Sequence, residues 1–409
     1  MSNNVWIVGI GMTTFGKHTD SSVHDLAGSA ITDALDDAGL GPCAVDAAFY
    51  GTATHGPLEG QAMISGEIAL RELGIQRIPV FNVENACATG ASAFALATAY
   101  IKAGEADVVL AAGAEKMNVG DPELTMSVFD MGYDVARPEA LQTTLDALGG
   151  EIDEPDLGKR SIFMDIYAAM ARSHMRQHGT TQEQIAAVAA KNHAHSIENE
   201  RAHYRKALTV DEVLQARPLS FPLTVPMCAP VTDGAAAVIV CSDAGLSKLS
   251  DARPVQVLAS VVGTGSDRDI TTFDGHLSQG IADLAYKRAR ITPDQVDVAE
   301  VHDATAFAEI LQTEMLGLVA PGEGGAAAAN GETTLGGRIP VNPSGGLESK
   351  GHPIGASGLA QIFELTQQLR GECGPRQVAG ARIALAENGG GFHRGEEAVT
   401  AITILKGAQ

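Results

Sequence analysis

The sequence predicts an α/β protein made of two similar halves. Three observations carry this. Apolar runs rich in Val, Ile and Ala alternate with stretches of helical period, the rhythm of βαβ units. Gly90-Ala91-Ser92 opens one helical stretch, and Gly355-Ala356-Ser357 opens another 265 positions later. Val45-Asp46 and Val296-Asp297 each lead into a strand, 251 positions apart and in the same order. A repeat of this size constrains the architecture more than any single motif does.

Taken in order, Val5–Ile10 reads as a strand and His24–Ala38 as a helix ended by Gly39. A strand runs from Val45 to Tyr50, another over Val80–Val83. Ala91–Ala103 is a helix stopped by Gly104, and Asp107–Gly113 a strand. Asn118–Lys159 breaks the rhythm: it is acidic, punctuated by Pro and Gly, and reads as an inserted loop region. Ser161–Gly179 and Thr181–Arg201 read as helices, and Pro222–Pro230 as a connector. Gly234–Cys241 is an apolar strand or a buried helix, two readings that periodicity cannot separate. The rhythm resumes at Val255, with a strand reaching His302, a helix ending at Gly371 and a strand over Arg382–Ala386.

Composition narrows the function. A net charge of -22 over 409 residues disfavours nucleic acid and anionic membrane surfaces as partners. The N-terminal MSNNVWIVGIG lacks the basic and apolar regions of a signal peptide. No run reaches the ~18 apolar residues of a membrane span. Five scattered cysteines without a C-x-x-C pair support neither a disulfide framework nor a metal site. A cytoplasmic setting fits. The glycine-rich stretches match no dinucleotide or P-loop pattern.

Cys87 and His352 are also 265 positions apart, so the repeat puts a thiol and an imidazole at equivalent places, each just before a helix. A helix N-terminus is expected to lower the thiol pKa, and a nearby histidine to act as its base. The plain alternative for Cys87 is a buried structural cysteine, and for His352 a capping or core histidine. Asp303, in Val301-His302-Asp303, is a candidate N-cap. The glycine run of Glu387-Asn388-Gly389-Gly390-Gly391 ends a strand and either aims amides at an oxyanion or simply turns. His193, His195 and His203 suggest a solvated helix more than a metal site. His55 carries no decisive local signal.

Together these motifs resemble the thiolase superfamily, particularly its sterol-carrier-protein type. The resemblance covers nearly the whole chain. It includes the Cys87 segment, Gly113-Ala-Glu-Lys-Met, Lys191-Asn-His-Ala-His-Ser and Asp233-Gly-Ala-Ala-Ala. It continues through Val301-His-Asp, Asn342-Pro-Ser-Gly-Gly and Lys350-Gly-His-Pro-Ile-Gly-Ala-Ser-Gly. It implies a duplicated five-layered αβαβα fold, with halves at 1–250 and 251–409 and a loop domain inserted at about 118–220. It implies a homodimer or dimer of dimers formed through the first half, and allows a small zinc-ribbon/OB-fold partner.

The resemblance also assigns roles. Cys87 takes an acyl group from acyl-CoA, which is a substrate and not a resident cofactor. His352 activates Cys87. His302 helps build one oxyanion hole, and the amides of Cys87 and Gly390 a second. Ser344 and Gly345 are candidate CoA contacts. Arg201, Arg205, Lys206 and Arg217 are candidates for its phosphates by charge alone, with surface solvation the plain alternative for each. The second acid/base cysteine of a thiolase is replaced, by Ala304 at one family position and by Asn388 at the other. His55 or His393 is a possible substitute base. The expectation is therefore acyl transfer to an activated acceptor. Retro-aldol cleavage of a hydroxyacyl-CoA and a non-catalytic acyl-CoA-binding subunit are the alternatives.

Overall fold

The structure is a computed structural model that describes residues 4–149 and 160–407. Its strands are β1 (Trp6–Met12), β2 (Ala47–Gly51), β3 (Val80–Val83), β4 (Val108–Glu115), β5 (Pro218–Ser220), β6 (Leu223–Thr224), β7 (Gly234–Cys241), β8 (Val255–Thr264), β9 (Val298–Glu300), β10 (Ile383–Gly390) and β11 (Val399–Lys406). Nine of them form one sheet in the order β3-β2-β4-β7-β1-β8-β11-β10-β9. The order is nearly a palindrome about the β1/β8 pair. Gly234–Cys241 is thus a strand, in full antiparallel register with β4.

The repeat is visible in detail. A single turn, Pro42–Ala44 or Pro293–Gln295, precedes β2 and β9 respectively. Asp46 Oδ2 accepts hydrogen bonds from the amides of Asp107 and Val108, at 3.0 and 2.9 Å. Asp297 Oδ2 accepts from Arg382 and Ile383, both at 2.8 Å. Each aspartate pins the start of its strand to the neighbouring one. The halves differ at their outer edges: the first has the parallel strand β3, whereas the second has only a bridge between Ala299 and Val341.

Three cores stack through the molecule. Along β7, Ala236, Val238 and Val240 face one core while Ala235, Ala237, Ile239 and Cys241 face another. This is the two-residue alternation of a strand buried on both faces. The middle core holds the helices Thr89–Ala103 and Ser357–Arg370. The outer cores carry Val23–Ala38 on one side and Leu277–Ala289 on the other. The two halves of the nine-stranded sheet thus form two layers, with helices between and outside them, the expected five-layered αβαβα arrangement.

Left-handed glycines end the helices at Gly39, Gly104, Gly179 and Gly371, as the sequence predicts. Two expectations change. The segment read as an inserted loop contains the helices Pro122–Ser127 and Pro138–Gly149, while its residues 150–159 lie outside the described residues. The helix expected over Thr181–Arg201 ends at His195, and a short turn, Ser196–Glu198, follows. Together with Ile162–His178 it packs on the helix Ala306–Met315 as a separate core beside the sheet.

Candidate active site

The chain leaves β3 and turns abruptly before the helix Thr89–Ala103. Ala86 has φ 48°, a strained value for a residue with a Cβ. The turn is held from both sides. Glu84 Oε1 accepts from the Ala86 amide at 2.6 Å, and Thr89 Oγ1 accepts from the Asn85 amide at 2.8 Å. β10 closes over it at Gly390, where an added Cβ would stand 2.4 Å from Asn85 O and 2.7 Å from Ala88 N. The result is Cys87 presented at the head of the helix.

His352 arrives from the equivalent place in the second half. Its Nε2 lies 3.3 Å from Cys87 Sγ. Its Nδ1 lies 2.6 Å from Ser357 Oγ, whose own proton goes to Pro353 O at 2.9 Å. The hydroxyl therefore accepts from Nδ1–H, and the network leaves the Nε2 lone pair facing the thiol. The two helix starts are locked by main chain. A Cβ at Gly113 or Gly90 would meet Gly355 O at 2.1 or 2.7 Å, and one at Gly358 would meet Ala91 N at 2.6 Å.

The resting electrostatics differ from the sequence expectation. Burial pushes the Cys87 thiol up to about 12, against the lowering pull of the amides of Gly391 and of Cys87 itself. The macrodipole contributes about 0.3–1 kcal/mol. That is less than the ~1.4 kcal/mol that moves a pKa by one, so desolvation wins. Burial also holds His352 well below its ordinary value, with His302 and Lys350 adding to the effect. The pair rests as neutral thiol and neutral imidazole.

His302 completes the cluster. Its ring stands 5.2 Å from that of His352 in a T-shaped contact, and neither ring nitrogen has a protein partner. Burial lowers it to about 4. Its amide is fixed by Glu387 Oε2 at 3.0 Å. Donor atoms of Cys87, His302 and His352 all lie within 4.8 Å of one another.

These three residues line a cavity of about 620 Å³. Met126, Phe129, Phe163, Met164 and Tyr167 make its wall mostly apolar. Lys206 and Arg217, both exposed, also line it. Ala304 is on the wall, at the place where a second thiol was sought.

Of the other expected residues, His193 lines the cavity and the rest lie off its wall. Gly390 lies opposite Val399 in the sheet and packs on the Cys87 turn, while the next residue, Gly391, lines the cavity. Asn388 is buried off the cavity, and neither of its side-chain polar atoms has a protein partner. Ser344 is bound through Oγ and amide to Glu300, at 2.7 and 3.0 Å, and Gly345 packs on Ser196. Arg201 donates to Met12 O and Arg205 to Ile197 O, neither at the cavity wall. Asp303 is no N-cap, because Thr305 holds that position. Asp303 instead accepts from the Leu347 amide at 2.7 Å. His193 and His195 are buried rather than solvated, bonded to Ser349 Oγ and Asn342 O. His55 turns toward Ser65 and Glu59. The His393 backbone pairs with Glu396, and its residue borders a separate small hollow.

Sequence reasoning passed over two residues on the wall, Cys228 and Glu348. Cys228 bridges Thr305, and the amide of Ala229 donates to Ala304 O at 3.0 Å. Cys228 thus neighbours the Ala304 segment through the main chain, and its thiol donates to Thr224 O at 3.6 Å. The only signal in the sequence was a cysteine in a proline-punctuated connector.

Fold and site define the class: a duplicated αβαβα protein with a thiol–imidazole pair where its two halves meet. The family model described as "Thiolase, N-terminal domain" matches residues 5–244, and "Thiolase C-terminal domain-like" matches 265–404. Acetyl-CoA acetyltransferase of Methanothermobacter thermautotrophicus is 39% identical over 394 residues, covering 95% of this chain and 96% of that protein. Human sterol carrier protein 2 is 36% identical over 394 residues, covering 94% of this chain and 69% of that protein. Benzoylsuccinyl-CoA thiolase subunit BbsB of Thauera aromatica is 34% identical over 399 residues, covering 96% of each. Among solved structures, the Ltp2-ChsH2(DUF35) aldolase superposes with TM-score 0.78 at 23% identity, covering 99% of this chain and 98% of that one. The chain belongs to the thiolase family, within the acyltransferases.

Proposed function

We propose that this protein moves an acyl group from a coenzyme A thioester to an acceptor through a covalent intermediate on Cys87. The observation that carries the reading is the 3.3 Å contact between Cys87 Sγ and His352 Nε2 beside a largely apolar cavity. The thiol proton passes to Nε2 as Sγ attacks the thioester carbonyl. The carbon–sulfur bond to coenzyme A then breaks, and the departing thiolate takes the proton back from His352. The amides of Cys87 and of the Gly390-Gly391 run, with His302, stabilise the oxyanion. Lys206 and Arg217 are the cations for the coenzyme A phosphates. Intact-mass analysis after incubation with a panel of acyl-CoA esters should show one acyl adduct, absent in Cys87→Ala. No adduct with any ester overturns the reading.

Ala304 favours a second reading. Without a thiol there, removal of an α-proton from acetyl-CoA lacks its acid/base, and a general acid or base contributes ~10²–10⁴-fold. The acceptor is then an already activated carbon, or the reaction is retro-aldol cleavage of a hydroxyacyl-CoA. Cleavage that survives Cys87→Ala selects retro-aldol chemistry, and ester binding without turnover selects a non-catalytic subunit.

Assembly is part of the proposal. β3 is an edge strand with Phe81 exposed, and Leu96 of the adjoining helix is exposed too. An unpaired edge with apolar side chains suits a homodimer through the first half. The similar Ltp2-ChsH2(DUF35) aldolase structure pairs with a DUF35 component, which supports a small zinc-ribbon/OB-fold subunit here. The scattered unpaired cysteines support a reducing, cytoplasmic setting. Among the described residues no helix is long and apolar enough to cross a membrane.

A further inference from the structure

We propose that Glu348 selects acyl chains bearing an uncharged oxygen, a hydroxyl or a ketone, by hydrogen bonding to that oxygen. The inference rests on the acyl-transfer reading, because it puts the acyl chain in the cavity beside Cys87.

Glu348 lies in the short helix Gly346–Lys350, just ahead of His352, and lines the same cavity as Cys87 and His302. It is 1% exposed. Its Oε1 accepts a 3.3 Å hydrogen bond from Asn192 Nδ2, and its Oε2 has no protein partner. Asn192 Nδ2 also faces Asp303 Oδ2 at 3.1 Å and Glu309 Oε2 at 3.0 Å. An amide nitrogen has two hydrogens, so three carboxyl groups share too few donors. Glu309 has Lys191 at 2.5 Å and Asn342 Nδ2 at 2.8 Å. Asp303 has the Leu347 amide. Glu348 is left least satisfied, and it is the one on the cavity wall.

Its protonation state follows from the same surroundings. Burial, with the carboxyls of Asp303 and Glu309 adding, pushes Glu348 well above the ordinary carboxylate range. A neutral carboxylic acid has a proton to donate and an oxygen to accept with, which matches a hydroxyl or a ketone. Much of the cavity wall is apolar, with side chains such as Phe163 and Met164. A site that holds an unmet polar group discriminates strongly against a ligand lacking the matching atom.

The test is equilibrium binding in the full chain with Cys87→Ala, which separates recognition from turnover. Calorimetry compares 3-hydroxybutyryl-CoA with butyryl-CoA, and 4-hydroxyvaleryl-CoA with valeryl-CoA. At least one hydroxylated ester should bind about tenfold more tightly than its plain partner, as one well-made hydrogen bond supplies. Adding Glu348→Leu should bring that ratio to about one, whereas Glu348→Gln, which keeps a donor, should retain most of it. Glu348→Met is the second apolar variant, to be read alone should the leucine variant fail to fold. An unchanged ratio in a folded apolar variant, or no preference in the parent, overturns this inference while leaving the acyl-transfer reading intact. No binding of any ester overturns both.

Discussion

The two halves of the molecule place one backbone device to two chemical ends. In each, an aspartate pins paired strands together, and a turn then delivers a side chain at the head of a central helix. In the first half that side chain is Cys87, after a strained Ala86; in the second it is His352, steered by Ser357. The halves differ most at their outer edges. The first keeps a complete edge strand and carries most of the apolar side chains that wall the cavity. The second reduces that strand to a bridge and packs the space with buried polar side chains around Asp303, Glu309 and Glu348. Duplication supplied matching positions, and divergence made one half the nucleophile's and the other the proton's.

Four experiments break or sharpen that contrast. Exchanging the unique side chains should have the largest effect. Cys87→Ala should lower acyl transfer by on the order of 10⁴-fold or more, and His352→Gln by about 10²–10⁴-fold; stopped-flow release of free coenzyme A measures both. If His352→Gln leaves the rate intact, the imidazole is not the base.

The next test concerns the resting state of the pair. Because burial holds the free thiol up to about 12, the reactive thiolate is scarce at neutral pH and grows as protons are removed. Alkylation of Cys87 by iodoacetamide should therefore rise about tenfold per pH unit from pH 7 to 10 with no plateau. A plateau near pH 8 would mean that the helix terminus outweighs desolvation after all.

Ala304→Cys restores a thiol to the second half. It should raise exchange of the α-protons of acetyl-CoA with solvent deuterium by about 10²-fold, the lower end of what an acid/base supplies. No gain would show that Cys228, also on the cavity wall, or another group performs that step.

The smallest effect should come from the seam between halves. Gly113→Ala sets a methyl 2.1 Å from Gly355 O, where the obstacle is main chain. Overpacking of this kind costs about 1–3 kcal/mol, read as a lower urea midpoint. A matching fall in acylation rate would tie the spacing of Cys87 and His352 to this contact.

Much of this was legible in the sequence because it is local or repeated. Gly39, Gly104, Gly179 and Gly371 announce helix ends through their own backbone freedom. The 265-residue offset joined Cys87 to His352 without any structure, since equivalent places in a duplicated fold meet at its pseudo-axis. What stayed hidden depends on distant neighbours. The thiol's resting pKa is set by desolvation, which no local motif encodes. His193 and His195 look like a polar helix face until a second helix and the Asn342 segment cover them. Cys228 and Glu348 acquire meaning only from the cavity they share.

The carbonyl of Gly355 touches three other glycine positions and so holds the reacting atoms in line without any side chain. A contact made of backbone alone survives replacement of the residues around it. The walls of the cavity can therefore change without moving the sulfur and the nitrogen apart.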